Sequence, residues 1–135
     1  MIRTLIAGLG NMGQSHALAH HHHPDSEIVG LVDRSGRDLP SDLAGYPRFA
    51  SFEEALHATT PDLVCIATYS DSHADYAVAA MEAGAHVFVE KPLATTVADA
   101  QRVADAATRL GKKLVVGYIL RHHPSWQRLI TEARD

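Results

Sequence analysis

The sequence predicts an α/β fold, a doubly wound parallel sheet of about six strands, and three observations carry that prediction. Short apolar runs alternate with segments whose apolar residues recur at helical spacing, the pattern of strand–helix crossovers that return parallel. The run from Asp62 to Ala67 is apolar throughout after its first residue, as a strand covered on both faces must be. Third, a glycine turn, Gly8-Leu9-Gly10-Asn11-Met12-Gly13, separates the first apolar run from the first helical segment.

Each element has a local reason. Ile2 to Ala7 reads as the first strand and Asn11 to about His21 as the first helix. Ile28 to Val32 is the second strand and ends on Asp33. Between Ser35 and Tyr46, Gly36, Pro40 and Gly45 leave room for only a short helical turn. A brief third strand around Arg48 to Ala50 precedes Ser51 and Glu54, which have capping-box spacing ahead of a helix through His57. Asp62 to Ala67 is the fourth strand. Ala74, Ala77, Val78 and Met81 form a helical stripe that Gly84 terminates. His86 to Val89, the fifth strand, runs into Glu90-Lys91-Pro92. Thr96 and Asp99 open another helix with Val103, Ala104, Ala107 and Leu110 expected inward and Gly111 as its stop. Lys113 to Val116 is the sixth strand, and Pro124 starts a last helix with Trp126, Leu129, Ile130 and Ala133 on one face.

Composition narrows the function classes. Of 135 residues, 46% are hydrophobic and 21% charged, which is ordinary globular composition. A net charge of −4 offers no bulk attraction to nucleic acid or to an anionic membrane. No apolar run approaches the ~20 residues of a membrane span. The chain starts Met-Ile-Arg and enters its first strand at once, so no signal peptide is visible. Cys65 is the single cysteine and sits in an apolar run, so no internal disulfide forms and a cytoplasmic setting is expected.

The glycine turn has the form and context of a Rossmann dinucleotide-binding fingerprint. Gly8 permits the tight bend, Gly10 lets the backbone approach a pyrophosphate, and Gly13 lets the helix pack closely. The helix then aims its N–H groups and positive dipole end at the phosphates. Asp33, twenty residues after Gly13, is placed to accept hydrogen bonds from an adenosine ribose and to repel a 2′-phosphate. That favours NAD over NADP. Arg34 works the other way, since a guanidinium stacks on adenine or pairs with a phosphate; a solvated turn residue is the plain alternative for Asp33.

Ligands in such sheets bind at the carboxyl ends of the strands. Those ends carry the glycine turn, Asp33-Arg34, Thr68-Tyr69, Glu90-Lys91-Pro92 and Gly117-Tyr118. Lys91 has two readings: a donor to a substrate oxygen during hydride transfer, or a surface lysine paired with Glu90. His16, His20 and His23 share a helical face at metal-ligand spacing. No cysteine or acidic set completes a site there, so no metal is expected. His122 and His123 read equally as substrate-facing or linker residues.

The succession G-L-G-N-M-G-x-x-H, T-x-x-x-x-H-x-x-x-A-x-x-A-x-x-A-G-x-H-V, E-K-P and G-Y-x-x-R-x-x-P resembles the glucose–fructose oxidoreductase/inositol dehydrogenase/MocA family. The likeness spans essentially the whole chain but only that family's N-terminal nucleotide domain. It implies that Gly8, Leu9, Gly10, Asn11, Met12, Gly13, Asp33 and Arg34 hold the dinucleotide. Thr68, Tyr69 and His73 are then near the cofactor, and Glu90 lies beside the nicotinamide ribose. Lys91 matches the family's catalytic lysine, which touches cofactor and substrate together, and Arg121 matches a position near the nicotinamide or substrate. Tyr69 stands where the family usually has proline, and His122 replaces its usual aromatic residue.

Residues 1–120 are accordingly read as a dinucleotide-binding domain, and 121–135 as the start of a connection to the family's C-terminal substrate domain. The resemblance implies an NAD(P)-dependent dehydrogenase or reductase, with NAD expected over NADP, acting on a sugar, polyol or related hydroxyl or carbonyl compound, homo-oligomeric at full length, with the isolated chain inactive. A non-catalytic nucleotide-binding module, such as a redox sensor or repressor-like member, is the alternative.

Overall fold

In a computed structural model, which describes residues 1–134, all six strands form one parallel sheet. They are β1 (Ile2–Ala7), β2 (Ser26–Val32), β3 (Arg48–Phe49), β4 (Leu63–Ile66), β5 (His86–Val89) and β6 (Leu114–Val116), in the order β3-β2-β1-β4-β5-β6. The helices are α1 (Asn11–His22), α2 (Phe52–Thr59), α3 (His73–Glu82), α4 (Val97–Leu110) and α5 (Pro124–Glu132). The order reverses between β1 and β4, so their crossovers leave in opposite directions and open a crevice at their carboxyl ends.

The strands are apolar on both faces because both faces are packed. Leu5 and Ala7 of β1, Val64 and Ile66 of β4, and Val87 and Val89 of β5 face α2, α3 and α4. The intervening Ile6, Leu31 and Cys65 face α1 and the Leu43 turn. On the first face Phe52 stacks on Tyr76 with centroids 4.0 Å apart. Toward β6 the second face thins out, and Val115, paired in register with Phe88, is 55% exposed.

Local signals explain most element ends. Ser51 caps α2 by accepting from the Glu54 N–H at 3.2 Å. The reciprocal half of the expected capping box is absent: the Ser51 hydroxyl donates to Glu53 Oε2 at 3.0 Å instead. Thr96 caps α4, its hydroxyl oxygen accepting from the Asp99 N–H, and Gly111 ends it at φ 63°. On α4 the buried residues are Val103 and Ala106, whereas Ala104 is exposed, so the inward face is rotated from the one expected. The α4 stripe follows its contact with α3, a tertiary choice that spacing between several alanines leaves open. No described helix is long and apolar enough to cross a membrane.

Candidate nucleotide-binding site

The crevice at the β1/β4 reversal is a cleft of about 710 Å³. One wall is the glycine turn, and its three glycines are glycine for different reasons. Gly8 sits at φ 88°, and a Cβ there would lie 2.6 Å from the Ala67 carbonyl oxygen. A Cβ on Gly13 would lie 1.8 Å from the Gly8 carbonyl oxygen, so Gly13 closes the turn on itself beneath the cleft. Gly10 has φ −65° and ψ −173°, and a Cβ there would meet nothing within 4 Å. The fold itself makes no demand for glycine at Gly10. The Gly10 backbone lies open on the cleft wall.

Gly10 is also the N-cap of α1, without a side-chain cap and with no acidic residue in the first turn. The orphan N–H groups and the positive end of the dipole therefore open onto the cleft, where a pyrophosphate fits them. Leu9 is buried, while Asn11 and Met12 are exposed, and all three line the cleft. Asp33, Arg34, Ser35 and Arg37 line the β2 end of the cleft. Burial pushes the Asp33 carboxyl upward, but hydrogen bonds from Ser35 and Arg37 and the Arg37 charge outweigh it and hold the carboxyl below its ordinary range.

At the β4 end, Thr68 Oγ1 is hydrogen-bonded to Ser72 Oγ at 2.7 Å. Tyr69 projects 78% exposed at the lip. His73 is fully buried at the start of α3; its Nδ1 donates to the Pro92 carbonyl at 2.7 Å, and the Thr68 carbonyl lies 3.2 Å from Nε2. The ring thus ties the loop after β4 to the loop that carries Lys91.

Glu90 ends β5 with its side chain 9% exposed and Oε1 2.8 Å from His16 Nε2. Its other oxygen accepts the Lys91 backbone N–H at 3.2 Å. Gly117, at the end of β6, makes room for this carboxylate, since a Cβ there would lie 3.2 Å from it. The Glu90 charge and, above all, burial push the Cys65 thiol up to about 12. Lys91 is exposed on the cleft wall, and among the described residues its amine has no ion-pair partner. Glu90 Oε1 is engaged by His16, and among the described residues no ion pair joins the Lys91 amine to Glu90.

Sequence reasoning missed the His16–Glu90 contact, which joins residues 74 positions apart. The histidine in G-x-G-x-x-G-x-x-H was its only visible signal. It also missed Arg37 and Arg48, which both reach Asp33. Arg121 is not brought to the cleft: it lies in the exposed turn Ile119–His122, where its carbonyl accepts from the Gln127 side chain. That turn leads the chain away after Gly117. Two other histidines of α1 have separate partners, His20 with Ser26 at 2.9 Å and His21 with Tyr46 at 2.9 Å. No group of three or more potential metal ligands gathers among the described residues.

The strand order, the capless helix behind an open glycine and an acidic residue at the end of β2 define a nucleotide-binding domain of the Rossmann type. The chain belongs to the glucose–fructose oxidoreductase/inositol dehydrogenase/MocA oxidoreductase family, whose NAD-binding Rossmann fold matches residues 2–118. Its cofactor is NAD. It is 34% identical over 129 residues to 4-carboxy-2-hydroxymuconate-6-semialdehyde dehydrogenase of Sphingobium sp., covering 93% of this chain and 41% of that protein. Inositol 2-dehydrogenase of Salmonella typhimurium is 31% identical over 134 residues, 95% of this chain and 40% of that one. The WlbA dehydrogenase of Chromobacterium violaceum, solved with NADH and UDP-GlcNAcA, superposes with a TM-score of 0.75 at 31% identity, over 85% of this chain and 34% of that one. The chain thus spans about two-fifths of the length of the two curated relatives.

Proposed function

We propose that this chain is the nucleotide domain of a dehydrogenase that moves a hydride between NAD and the hydroxyl-bearing or carbonyl carbon of a sugar or polyol. Residues 1–120 form that domain, and 121–135 begin the connection to a substrate domain. The observation that carries the proposal is Lys91, whose amine is unpaired among the described residues at the cleft wall while His16 holds the adjacent carboxylate. Bound NAD supplies the hydride acceptor. The chain's own residues do the rest. The glycine turn and the α1 N-terminus hold the pyrophosphate, and Asp33 receives the adenosine ribose. Glu90, fixed by His16 and the Lys91 N–H, faces the nicotinamide ribose. In the oxidising direction a neutral Lys91 amine would take the substrate hydroxyl's proton as the C–H bond gives up hydride, and in the reducing direction the ammonium would return it to the carbonyl oxygen.

A purely sensing module leaves Lys91 without a role. The full-length protein is read as a cytoplasmic homo-oligomer, in keeping with the single buried thiol of this chain and the exposed apolar stripe of α5. The test is polyol-dependent NADH formation by a longer protein carrying this chain, with and without Lys91→Ala. The variant should lose turnover by about 10²–10⁴-fold, the worth of a positioned acid or base, while NAD affinity stays close to the parent's. Full activity in the variant would remove Lys91 from the chemistry.

A further inference from the structure

Two groups of opposite charge stand side by side at the end of β5 and do not pair. Glu90 and Lys91 are neighbours in sequence, yet among the described residues the Lys91 amine makes neither an ion pair nor a hydrogen bond. His16 is what holds the carboxylate elsewhere. Its Nε2 lies 2.8 Å from Glu90 Oε1. An ionised carboxylate only accepts, so the ring donates from Nε2 whether it is neutral or charged. The ring is itself held, edge-to-face against Phe88 of β5 with centroids 5.0 Å apart.

The rest of the carboxylate is equally confined. Glu90 Oε2 accepts the Lys91 backbone N–H at 3.2 Å, and Gly117 leaves the carboxylate its space at the end of β6. Its one side-chain partner among the described residues is therefore the histidine from α1. Without that donor, a carboxylate on a side chain only 9% exposed would be short of a hydrogen bond. A buried charge left so is costly and is relieved by a cation. Lys91, on a flexible four-carbon stem one residue away, is well placed to supply it. An amine captured by a carboxylate is held as the ammonium and cannot accept the proton of an alcohol.

We propose that His16 is a positioning residue for Lys91: by holding the Glu90 carboxylate toward α1, it keeps that charge from capturing the lysine amine, which stays free for the substrate oxygen. The proposal rests on the reading of Lys91 as the group that exchanges a proton with substrate. It gives α1 a second task beside its phosphate-facing N-terminus, one turn beyond Gly13.

Acylation of the chain with a limiting amount of acetic anhydride reads the contact, because only a neutral amine reacts. The chain has three lysines, Lys91, Lys112 and Lys113, and the exposed Lys113 serves as internal reference in mass spectrometry. His16→Phe keeps a ring against Phe88 but has no donor, and should slow Lys91 acylation relative to Lys113 by about threefold. His16→Leu, a smaller side chain without a donor, should do the same. His16→Gln, whose amide donates in place of Nε2, should restore the wild-type rate. In a Glu90→Gln background no charge remains to capture the amine, and His16→Phe should have no effect. Unfolding speeds acylation, so a misfolded variant cannot imitate the expected slowing. Lys91 acylation that is unchanged or faster in both donor-free variants, or slowed equally in the Glu90→Gln background, overturns the proposal. In a longer protein carrying this chain, kcat should fall in His16→Phe and return in His16→Gln. Full turnover by Lys91→Ala there would remove the role of the lysine, whereas unchanged acylation removes only that of His16.

Discussion

Replacing Gly10 by alanine should separate folding from binding. The backbone there, φ −65° and ψ −173°, is one that alanine adopts without strain, and the new Cβ meets no atom within 4 Å. Less freedom in the unfolded chain favours the variant by roughly 0.4–1 kcal/mol, and a poorer N-cap disfavours it by a similar amount. Stability should therefore stay within about 1 kcal/mol of wild type. Binding should not survive so well. The methyl group occupies the space into which a pyrophosphate must come to reach the first-turn N–H groups. Charge-assisted hydrogen bonds contribute about 1.5–3 kcal/mol each, so losing two costs ~3 kcal/mol or more. That is ~100-fold or more in Kd. Gly13→Ala is the contrasting variant, because its Cβ would fall 1.8 Å from the Gly8 carbonyl oxygen. It should lose ~1–3 kcal/mol of stability or more before binding is considered. Urea denaturation and NAD titration of both variants provide the assay. A folded Gly10→Ala protein with NAD affinity within about threefold of wild type would refute the reasoning that a ligand, rather than the fold, requires that glycine.

Further expectations concern the same wall, its support and the last helix. The Asp33 carboxyl lies below its ordinary value of 3.8 in the folded chain, so the stability it contributes is complete above that pH and is lost as pH falls through the folded value. The stability gap between wild type and Asp33→Asn should thus close on acidification from neutral pH, and a gap that widens toward acid would contradict the sign. His16→Ala leaves the Glu90 carboxylate buried without its side-chain partner and should cost about 1–3 kcal/mol, with His16→Gln costing less; equal losses in chemical denaturation would show that packing, not the hydrogen bond, matters. Trp126, Leu129 and Ile130 are 45%, 54% and 38% exposed on one face of α5, so residues 1–135 expressed alone should self-associate with rising concentration. Sedimentation of a monomer independent of concentration would count against that stripe as a contact surface.

Much of the fold is legible in the sequence, for reasons that are local. Apolar runs bounded by glycine, Ser51 and Thr96 before helices, and Gly111 after one are signals carried within a few residues. Alternation and the glycine turn together point to a doubly wound parallel sheet, but the strand order itself is set by pairing between distant runs and is not written in any one of them. Ala104 and Ala106 show where this stops: both are small and apolar, and contact with α3 decides which is buried. The site divides the same way. Gly8 to Gly13, Asp33 and Glu90-Lys91 lie at strand ends, where topology puts ligands. The partners that set their charge do not announce themselves in sequence. His16 meets Glu90 across 74 positions, and Arg48 reaches Asp33 only because β3 pairs with β2. Arg121 was placed by resemblance alone, and the turn that follows Gly117 carries it elsewhere.

The most direct test of the central claim is a calorimetric titration of this chain with NAD, repeated on Gly10→Ala. The account predicts saturable binding of one NAD per chain by the wild-type protein and its loss in a variant that remains folded. Absence of NAD binding by the folded wild-type chain, or binding to which Gly10→Ala is indifferent, would contradict the assignment of this cleft as the NAD site.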